Sequence, residues 1–336
     1  MDDLDPQAVS AAAAALDGVV RRTPVLDWGA TGGWTPPSGA RLVLKLEHLQ
    51  LTGSFKVRGA WNLINALPEA ERALGLVTAS GGNHGLAVAW AAARAGVPAT
   101  VFLPRLTPPA QAAKIESFGA TVHRHGEAWD DAWEAAVAYA TPRGLPLVHP
   151  FDDPRIVAGQ GTVGLELLEQ VPEMDLLIVA VGGGGLLAGI AATVKQRRPD
   201  VTIIGVEPTG AASMSAALAA AAPVALPGVH TIAHTLAPRR VSQLTLDLCR
   251  RYVDAVVLVQ DAQIVEAMRL LWTAANLLVE PSGAATLAAL LAGRVPATRT
   301  ARQIVAVVCG ANVDAEPAIA LAVAHPSPRD GKSEGE

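Results

Sequence analysis

The segment that organises the chain reads Leu51-Thr52-Gly53-Ser54-Phe55-Lys56-Val57-Arg58-Gly59-Ala60. Before it, the apolar run from Leu42 to Leu46 predicts a β-strand, and after it apolar residues recur at helical spacing from Val57 to Leu67. Ser54 is the expected N-cap of that helix, so Lys56 falls in the first helical turn. There the helix dipole opposes a positive charge, and loss of water would lower the pKa of the amine further. The position favours a nucleophilic lysine, although a solvated lysine is the simpler interpretation.

Length and composition limit the class of protein. A chain of 336 residues can form two domains or one large α/β unit. Although 51% of the residues are hydrophobic, charge, Gly or Pro interrupts every apolar stretch before the roughly 18 residues that a membrane helix needs. The net charge of −5 and the aromatic content of 4% argue against a nucleic-acid surface. The acidic start lacks the features of a secretory signal, so we expect a cytoplasmic protein with no membrane association.

Predicted strands and helices alternate along most of the chain. The predicted strands that follow the lysine segment span residues 76–79, 100–103, 121–125, 147–149, 176–181, 201–207, 255–259 and 304–308. Such alternation is typical of mainly parallel sheets covered by helices on both faces, and it predicts the α/β class. The region from about residue 71 to 151 could form a smaller domain inserted into a larger one. The polar segment 326–336 is expected to be disordered.

Four consecutive glycines, Gly182 to Gly185, stand between a predicted strand and a predicted helix. Their backbone N–H groups can approach an anion closely, and the N-terminus of the helix adds its dipole, so a phosphate monoester is the expected ligand. A tight structural turn is the alternative, but such a turn rarely needs four glycines. A dinucleotide-binding fingerprint does not fit, because Leu187 stands where its third glycine would be.

Two further turns follow predicted strands, where open α/β sheets bind ligands. The first, Ser80-Gly81-Gly82-Asn83-His84-Gly85, offers backbone donors, a hydroxyl and an amide, which suit a carboxylate and a phenolic oxygen. In the second, Cys309-Gly310-Ala311-Asn312, the thiol follows the strand end, although a buried inert cysteine is the more common reading.

Other candidate sites have simpler explanations. Ser80 has neither a nearby His and Asp pattern nor the G-x-S-x-G elbow of an acyl-transfer nucleophile. His123 and His125 share a strand face without a third ligand, so surface polar residues are a better interpretation than a zinc pair. A lysine that favours the neutral state, a phosphate site and an oxygen-binding turn together fit pyridoxal phosphate.

Six motifs in collinear order resemble the serine/threonine dehydratase group of pyridoxal-phosphate enzymes, which includes serine racemase. This group has the tryptophan synthase β-like fold, known as fold type II. The resemblance extends from about Thr23 to Asp314, and its motifs are Ser54 to Ala60, Ser80 to Gly85, Gly159-Gln160-Gly161-Thr162, Gly182 to Gly185, Val206-Glu207-Pro208 and Glu280-Pro281-Ser282-Gly283.

The resemblance implies two three-layer α/β domains with mainly parallel sheets. The large cofactor-binding domain would comprise residues 1–70 and 152–325, and residues 71–151 would form a small domain that carries the substrate loop. No C-terminal regulatory domain is expected, and a homodimer or homotetramer is the implied assembly.

The resemblance also assigns roles to individual residues. Lys56 would form the Schiff base and move the Cα proton, while Cys309 would face the pyridine nitrogen as a neutral partner, which suits β-elimination. Asn83 would bind the phenolic oxygen. The residues implied to bind the cofactor are Phe55, Lys56, Asn83, Gly182, Gly183, Gly184, Gly185, Leu186, Glu280 and Cys309. Those implied to bind the substrate are Ser80, Gly81, Gly82, Asn83 and His84.

Two departures from the resemblance affect the expected chemistry. Racemising relatives have a serine at the position of Gly81, and glycine cannot exchange a proton, so racemisation is disfavoured. Relatives with a divalent cation have a carboxylate at the position of Ser213. Glu207, the Ala211 carbonyl and Ser213 instead match a monovalent site, so potassium is expected rather than magnesium.

The predicted activity is a pyridoxal-phosphate-dependent β-elimination that converts L-threonine to 2-oxobutanoate, or L-serine to pyruvate, with release of ammonia. Because Ala233-His234-Thr235 departs from the usual family pattern near the substrate, alternatives remain open. They are dehydration or racemisation of another β-hydroxy amino acid, such as 3-hydroxyaspartate or a β-arylserine, and a non-catalytic homologue that binds the cofactor.

Overall fold

The computed structural model describes residues 3–30, 34–36, 38–314, 316 and 319–320. The predicted disordered segment 326–336 lies outside these residues. Helices and strands alternate along the described chain, as the sequence pattern predicts. The strands, β1 to β9, are Val25–Asp27, Arg41–Lys45, Leu76–Ala79, Ala99–Leu103, Thr121–Arg124, Leu176–Ala180, Thr202–Pro208, Ala255–Val259 and Gln303–Val307. The helices, α1 to α12, are Pro6–Leu16, Lys56–Ala66, Glu69–Ala73, Asn83–Ala95, Pro109–Glu116, Trp129–Ala140, Pro154–Gln170, Gly185–Lys195, Ser213–Ala220, Gln243–Tyr252, Asp261–Ala275 and Pro281–Leu291.

The strands form two sheets. The larger has the order β1-β2-β9-β6-β7-β8, in which β1 is antiparallel to β2 and the other neighbours are parallel. The smaller has the parallel order β3-β4-β5. The α/β class with mainly parallel sheets is therefore confirmed.

Strands β3 and β4 of the smaller sheet are largely buried on both faces, whereas the edge strand β5 is mostly exposed. Val101 and Leu103 of β4 pack into one hydrophobic cluster with residues of α2 and α4, whereas Phe102 packs into another with residues of α6. Consecutive side chains of a strand point to opposite faces, so a sheet covered by helices on both sides needs apolar residues at every position. The mainly apolar sequences of β3 and β4 reflect this requirement, whereas the exposed β5 carries Thr121, His123 and Arg124.

The larger sheet carries the main hydrophobic core. Every residue of β6 and β9 is buried, and α12 packs against β6, β7, β8 and β9. The parallel strands end at one edge of this sheet, which brings together the segments that follow β2, β6 and β9.

Two local predictions are wrong. Ser54 is not a side-chain N-cap: helix α2 begins after Phe55, and the buried Ser54 hydroxyl has no hydrogen-bond partner within the described residues. The Ser54 backbone instead pairs with Gly310 in an isolated antiparallel bridge. Residues 147–149 do not form a strand, because Leu147 makes a single parallel bridge to Val77.

The separation of the two sheets is compatible with the proposed division into residues 1–70 plus 152–325 and residues 71–151, which remains a prediction. None of the helices in the described part of the chain has the length and apolar character needed to cross a membrane.

Candidate active site

A cleft lies where the segments after β2, β3, β6 and β9 meet. All the residues that the sequence indicated for cofactor binding line it. The complete lining is Phe55, Lys56, Asn83, Phe151, Ala180, Gly182, Gly183, Gly184, Gly185, Leu186, Thr235, Leu236, Glu280 and Cys309.

The positive charge of a protonated Lys56 amine is poorly compensated by its surroundings. Lys56 is the first residue of α2, and its Nζ donates a hydrogen bond to the Pro150 carbonyl oxygen at 2.9 Å. Burial lowers the pKa of this amine to about 8, while nearby Cys309 and Glu280 oppose the shift. The expected tendency toward a neutral lysine is thus present in the structure.

The four glycines form a turn that larger residues could not adopt. Gly184 has a φ of +88°, in the left-handed region that favours glycine. A Cβ at Gly183 would lie 2.1 Å from Phe151 Cδ1. Helix α8 begins at Gly185 without a side-chain cap, so the N–H groups of its first turn are available to an anion.

Glu280 holds the Asn83 amide in a fixed orientation. Asn83 Nδ2 donates to Glu280 Oε1 at 2.8 Å, and Asn83 Oδ1 accepts from Asn312 Nδ2 at 2.7 Å. Glu280 also accepts from the Asn312 backbone N–H and from the Thr235 hydroxyl. Because Asn83 Nδ2 carries two hydrogens, one N–H remains for a ligand. Burial raises the pKa of Glu280 to about 7.

Cys309 contributes a neutral thiol. Its Sγ donates to the Ser282 carbonyl oxygen at 3.3 Å. Burial raises the pKa of the thiol, and the Glu280 carboxylate adds to the rise. The Cys309 side chain therefore presents a neutral group to a ligand atom beside it.

The predicted substrate loop lies beside the cleft, and Asn83 is its member in the lining. The Ser80 hydroxyl accepts a hydrogen bond from the Gly82 N–H within the loop. The Nε2–H group of His84 donates to the Val148 carbonyl oxygen, and burial lowers the pKa of this imidazole to about 3, so it is neutral.

The space next to Gly81 is filled by Thr107. A Cβ at Gly81 would lie 2.5 Å from Thr107 Oγ1 and 2.7 Å from its Cγ2. A serine at this position would require Thr107 to move. The absence of a side chain at Gly81 is therefore matched by the packing around it.

The predicted cation ligands lie together near the N-terminus of α9. Glu207 accepts hydrogen bonds from the backbone N–H groups of Met214 and Ser215 and from the Ser215 hydroxyl. The Ser213 hydroxyl is buried and has no partner within the described residues. In the part of the chain that the structure describes, no group of three or more His, Cys, Asp or Glu side chains could hold a metal ion.

Sequence reasoning missed Phe151 and Thr235. Phe151 reaches the glycines from the segment before α7. The Thr235 hydroxyl bonds to Glu280 and Ser282, whereas its neighbour His234, from the same departing triplet, is not among the residues that line the cleft. Thr235 belongs to the triplet Ala233-His234-Thr235, whose departure from the family pattern was a signal. The pattern could not show which residue of the triplet faces the cleft.

The lysine, the glycine turn and the neutral thiol define a cofactor-dependent enzyme of the α/β class. Residues 16–310 match the family described as pyridoxal-phosphate dependent enzyme, and the chain belongs to this family. Its residues fit that cofactor: the glycine turn leaves room and N–H donors for a phosphate, and Lys56 offers an amine of lowered pKa.

Relatives of known name agree with this assignment. The chain is 39% identical to an L-threonine ammonia-lyase of Thermotoga maritima over 82% of this chain and 68% of the relative. It is 38% identical to a phenylserine dehydratase of Ralstonia pickettii over 93% and 94% of the two chains. The structure of maize serine racemase superposes with a TM-score of 0.88 at 36% identity, covering 93% of this chain and 95% of that one. These neighbours have fold type II, which confirms the predicted fold class.

Proposed function

We propose that this protein is a pyridoxal-phosphate-dependent ammonia-lyase that dehydrates and deaminates L-threonine, L-serine or both. The observation that carries the proposal is the convergence of the Lys56 amine, the Asn83 amide and the Gly182–Gly185 turn on one cleft. The identity to an L-threonine ammonia-lyase supports the same activity.

Each residue of the cleft has a proposed task. Lys56 holds the cofactor and, when its amine is free, removes the proton from the substrate Cα. The Gly182–Gly185 turn and the Leu186 N–H would hold the phosphate, Asn83 would donate to the phenolic oxygen, and Phe55 would pack beside the ring. Ser80 to His84 bind the substrate carboxylate. Bound pyridoxal phosphate supplies the electron sink for the pair that remains at Cα.

The neutral thiol of Cys309 supports elimination as the outcome. A carboxylate at this position would stabilise a protonated ring and a long-lived carbanion, whereas a neutral group favours early loss of a leaving group. The Cβ hydroxyl leaves as water. The unsaturated amine that results is hydrolysed to 2-oxobutanoate or pyruvate and ammonia. Gly81 and Thr107 support the same outcome, because Gly81 has no group that could return a proton to the substrate Cα from the face opposite Lys56.

Substitution of Lys56 tests the proposal. Lys56→Ala should abolish the absorbance of the lysine-bound cofactor and reduce keto-acid formation from threonine and serine at least about a thousandfold, because the proton acceptor is lost. Lys114→Ala, at an exposed lysine, is the matched control and should behave as wild type. Survival of either signal in the Lys56 variant would contradict the assignment.

A potassium ion bound by Glu207, the Ala211 carbonyl and Ser213 is a finer part of the proposal. The Glu207 carboxylate is buried and has no ion pair within the described residues, and the unpartnered Ser213 hydroxyl supports a ligand there. Potassium should raise the melting temperature of the wild type relative to tetramethylammonium at equal ionic strength. In Ser213→Ala this difference should shrink. Equal melting temperatures of the wild type in the two salts would contradict the site.

A further inference from the structure

A second cavity adjoins the active-site cleft. Trp129, Trp133, His149 and Phe151 line it, and these four residues are called the aromatic pocket here. The cavity has a volume of about 460 Å³. Phe151 lines both the aromatic pocket and the cleft. Phe151 is therefore a wall that the two cavities share.

The rings of the aromatic pocket are held in a defined arrangement. Trp129 and Trp133 stack with centroids 5.7 Å apart, and Trp129 Nε1 donates to the Ala79 carbonyl oxygen. His149 stands edge-on to Trp133 at 4.8 Å and to Phe151 at 4.6 Å. Stacked and edge-to-face contacts at these distances are the geometries that a further aromatic ring prefers.

The aromatic pocket lies next to the reactive amine. Lys56 Nζ donates to the carbonyl oxygen of Pro150, the residue between His149 and Phe151. A substrate whose Cα proton is removed by this amine has its Cβ one bond further away. A substituent on Cβ would have to extend past Phe151, the wall that the two cavities share, to reach the indole rings.

The charges around the cavity do not favour an acidic side chain. Its charged residues are two cations, Arg239 and Arg240, and two anions, Asp130 and Asp152. Arg239 pairs with Asp130 at 3.8 Å, and its Nε donates to the Leu226 carbonyl oxygen. Burial lowers the pKa of His149 to about 4, so this ring is neutral. The rim is balanced in charge and the wall is aromatic.

We propose that the aromatic pocket is a side-chain subsite that accepts an aryl group on the substrate Cβ, so that 3-arylserines are substrates. An apolar cavity of roughly 150 Å³ already holds benzene, so the volume is ample for a phenyl ring. The proposal rests on the proposed elimination and extends its substrate class beyond the methyl group of threonine.

The reaction on 3-phenylserine balances without a further reactant. The Cα–H and Cβ–OH bonds break, the proton and hydroxide leave as water, and a Cα–Cβ double bond forms. Hydrolysis of the resulting unsaturated amine consumes one water and gives phenylpyruvate and ammonia. No oxidant or reductant is required.

Steady-state kinetics of the holoenzyme test the subsite. The wild type should have a KM for L-3-phenylserine about tenfold lower than for L-threonine, because the phenyl ring is removed from water. Trp133→Ala should raise the KM for phenylserine about tenfold and leave that for threonine within about twofold. Trp90→Ala, at an aromatic pair outside the pocket, should change neither.

A second variant adds a bulky side chain to the cavity, whereas Trp133→Ala removes one. Pro223 lines it from the segment after α9, and Pro223→Trp should raise the KM for phenylserine while threonine turnover continues. Equal effects on both substrates in both variants would overturn the subsite. A preference for 3-hydroxyaspartate over phenylserine would also overturn it, because the charged rim would then select the substrate.

Ligand binding separates this proposal from the proposed function. L-phenylalanine and L-alanine lack the β-hydroxyl, and their binding can be followed by the absorbance of the bound cofactor. The wild type should bind phenylalanine about tenfold more tightly than alanine, and Trp133→Ala should lose this ratio. If the enzyme turns over no substrate but still binds phenylalanine more tightly than alanine, only the proposed elimination is contradicted. If it turns over threonine but does not prefer phenylalanine to alanine, only the aryl subsite is contradicted.

Discussion

Lys45 and Lys56 show how one residue type is used in two ways. Lys45 ends strand β2 and is fully buried, and its Nζ donates to Glu166, to Gln170 Oε1 at 2.7 Å and to the Thr23 carbonyl oxygen at 2.8 Å. Lys56 begins helix α2 and is half-buried. Its amine donates to one backbone carbonyl and has no ion pair within the described residues.

The surroundings of Lys45 form a continuous buried network. Arg58 is 1% exposed and donates to both oxygens of Glu47 and to Glu166 Oε1. Thr23 donates to Glu47 as well. These bonds join β2, α2 and α7, and removal of one partner would leave a buried charge without compensation. The network fixes the start of α2 relative to the sheet.

Burial alone does not make a lysine reactive. Burial lowers the pKa of both amines, but the Glu47 and Glu166 carboxylates compensate the charge of Lys45. Its hydrogens are taken up by Glu166, Gln170 and the Thr23 carbonyl oxygen. Lys56 lines a cleft and its amine has a lowered pKa, which suits its proposed role because a neutral amine with a free lone pair can add to a carbonyl carbon.

The largest effects are expected when each lysine is replaced by methionine, because Lys45→Met should lose stability and Lys56→Met should lose activity. Lys45→Met should lower the free energy of unfolding of the apoenzyme by about 3 kcal/mol, because Glu166 and the Thr23 carbonyl lose their donor. Lys56→Met should change it by less than about 1 kcal/mol, because one hydrogen bond is lost while a costly desolvation is relieved. Urea unfolding measures both values.

Activity per folded molecule provides the complementary readout. Folded Lys45→Met should retain turnover, whereas folded Lys56→Met should have none. Equal losses of stability in the two variants, or measurable activity in Lys56→Met, would contradict different roles for the two lysines.

The pH dependence of cofactor addition tests the lowered pKa of Lys56. The neutral amine is the reactive form, so the rate at which the apoenzyme takes up pyridoxal phosphate should rise about tenfold per pH unit up to about pH 8 and then level off. An amine of ordinary pKa would continue to gain rate to about pH 10.4. Stopped-flow absorbance gives the profile, and the reaction of N-acetyl-lysine with the cofactor is the reference. A profile that follows the reference would show that burial does not lower the pKa of Lys56.

Much of the site could be predicted because its chemistry is local in sequence. The Gly182–Gly185 turn has the strand before it and the helix after it that its residues indicated, and the first-turn position of Lys56 is confirmed. Glycine runs and helix starts are determined by neighbouring residues. The strand and helix alternation likewise followed from apolar patterning alone.

The features that the sequence did not reveal depend on distant contacts. Ser54 failed as an N-cap because its backbone pairs with Gly310, a residue near the other end of the chain. Phe151 and Thr235 enter the cleft through packing between separate elements. The pairing of Lys45 with Glu166 joins a strand to a helix far along the chain, and charge patterns within one segment cannot indicate such partners.

Reduction of the holoenzyme identifies the lysine that carries the cofactor. The holoenzyme is reduced with borohydride, which converts an imine between cofactor and amine into a stable secondary amine, and the digested protein is analysed by mass spectrometry. We expect a pyridoxyl group on Lys56 and unmodified Lys45. A pyridoxyl group on Lys45 or another lysine, with Lys56 unmodified, would contradict this expectation.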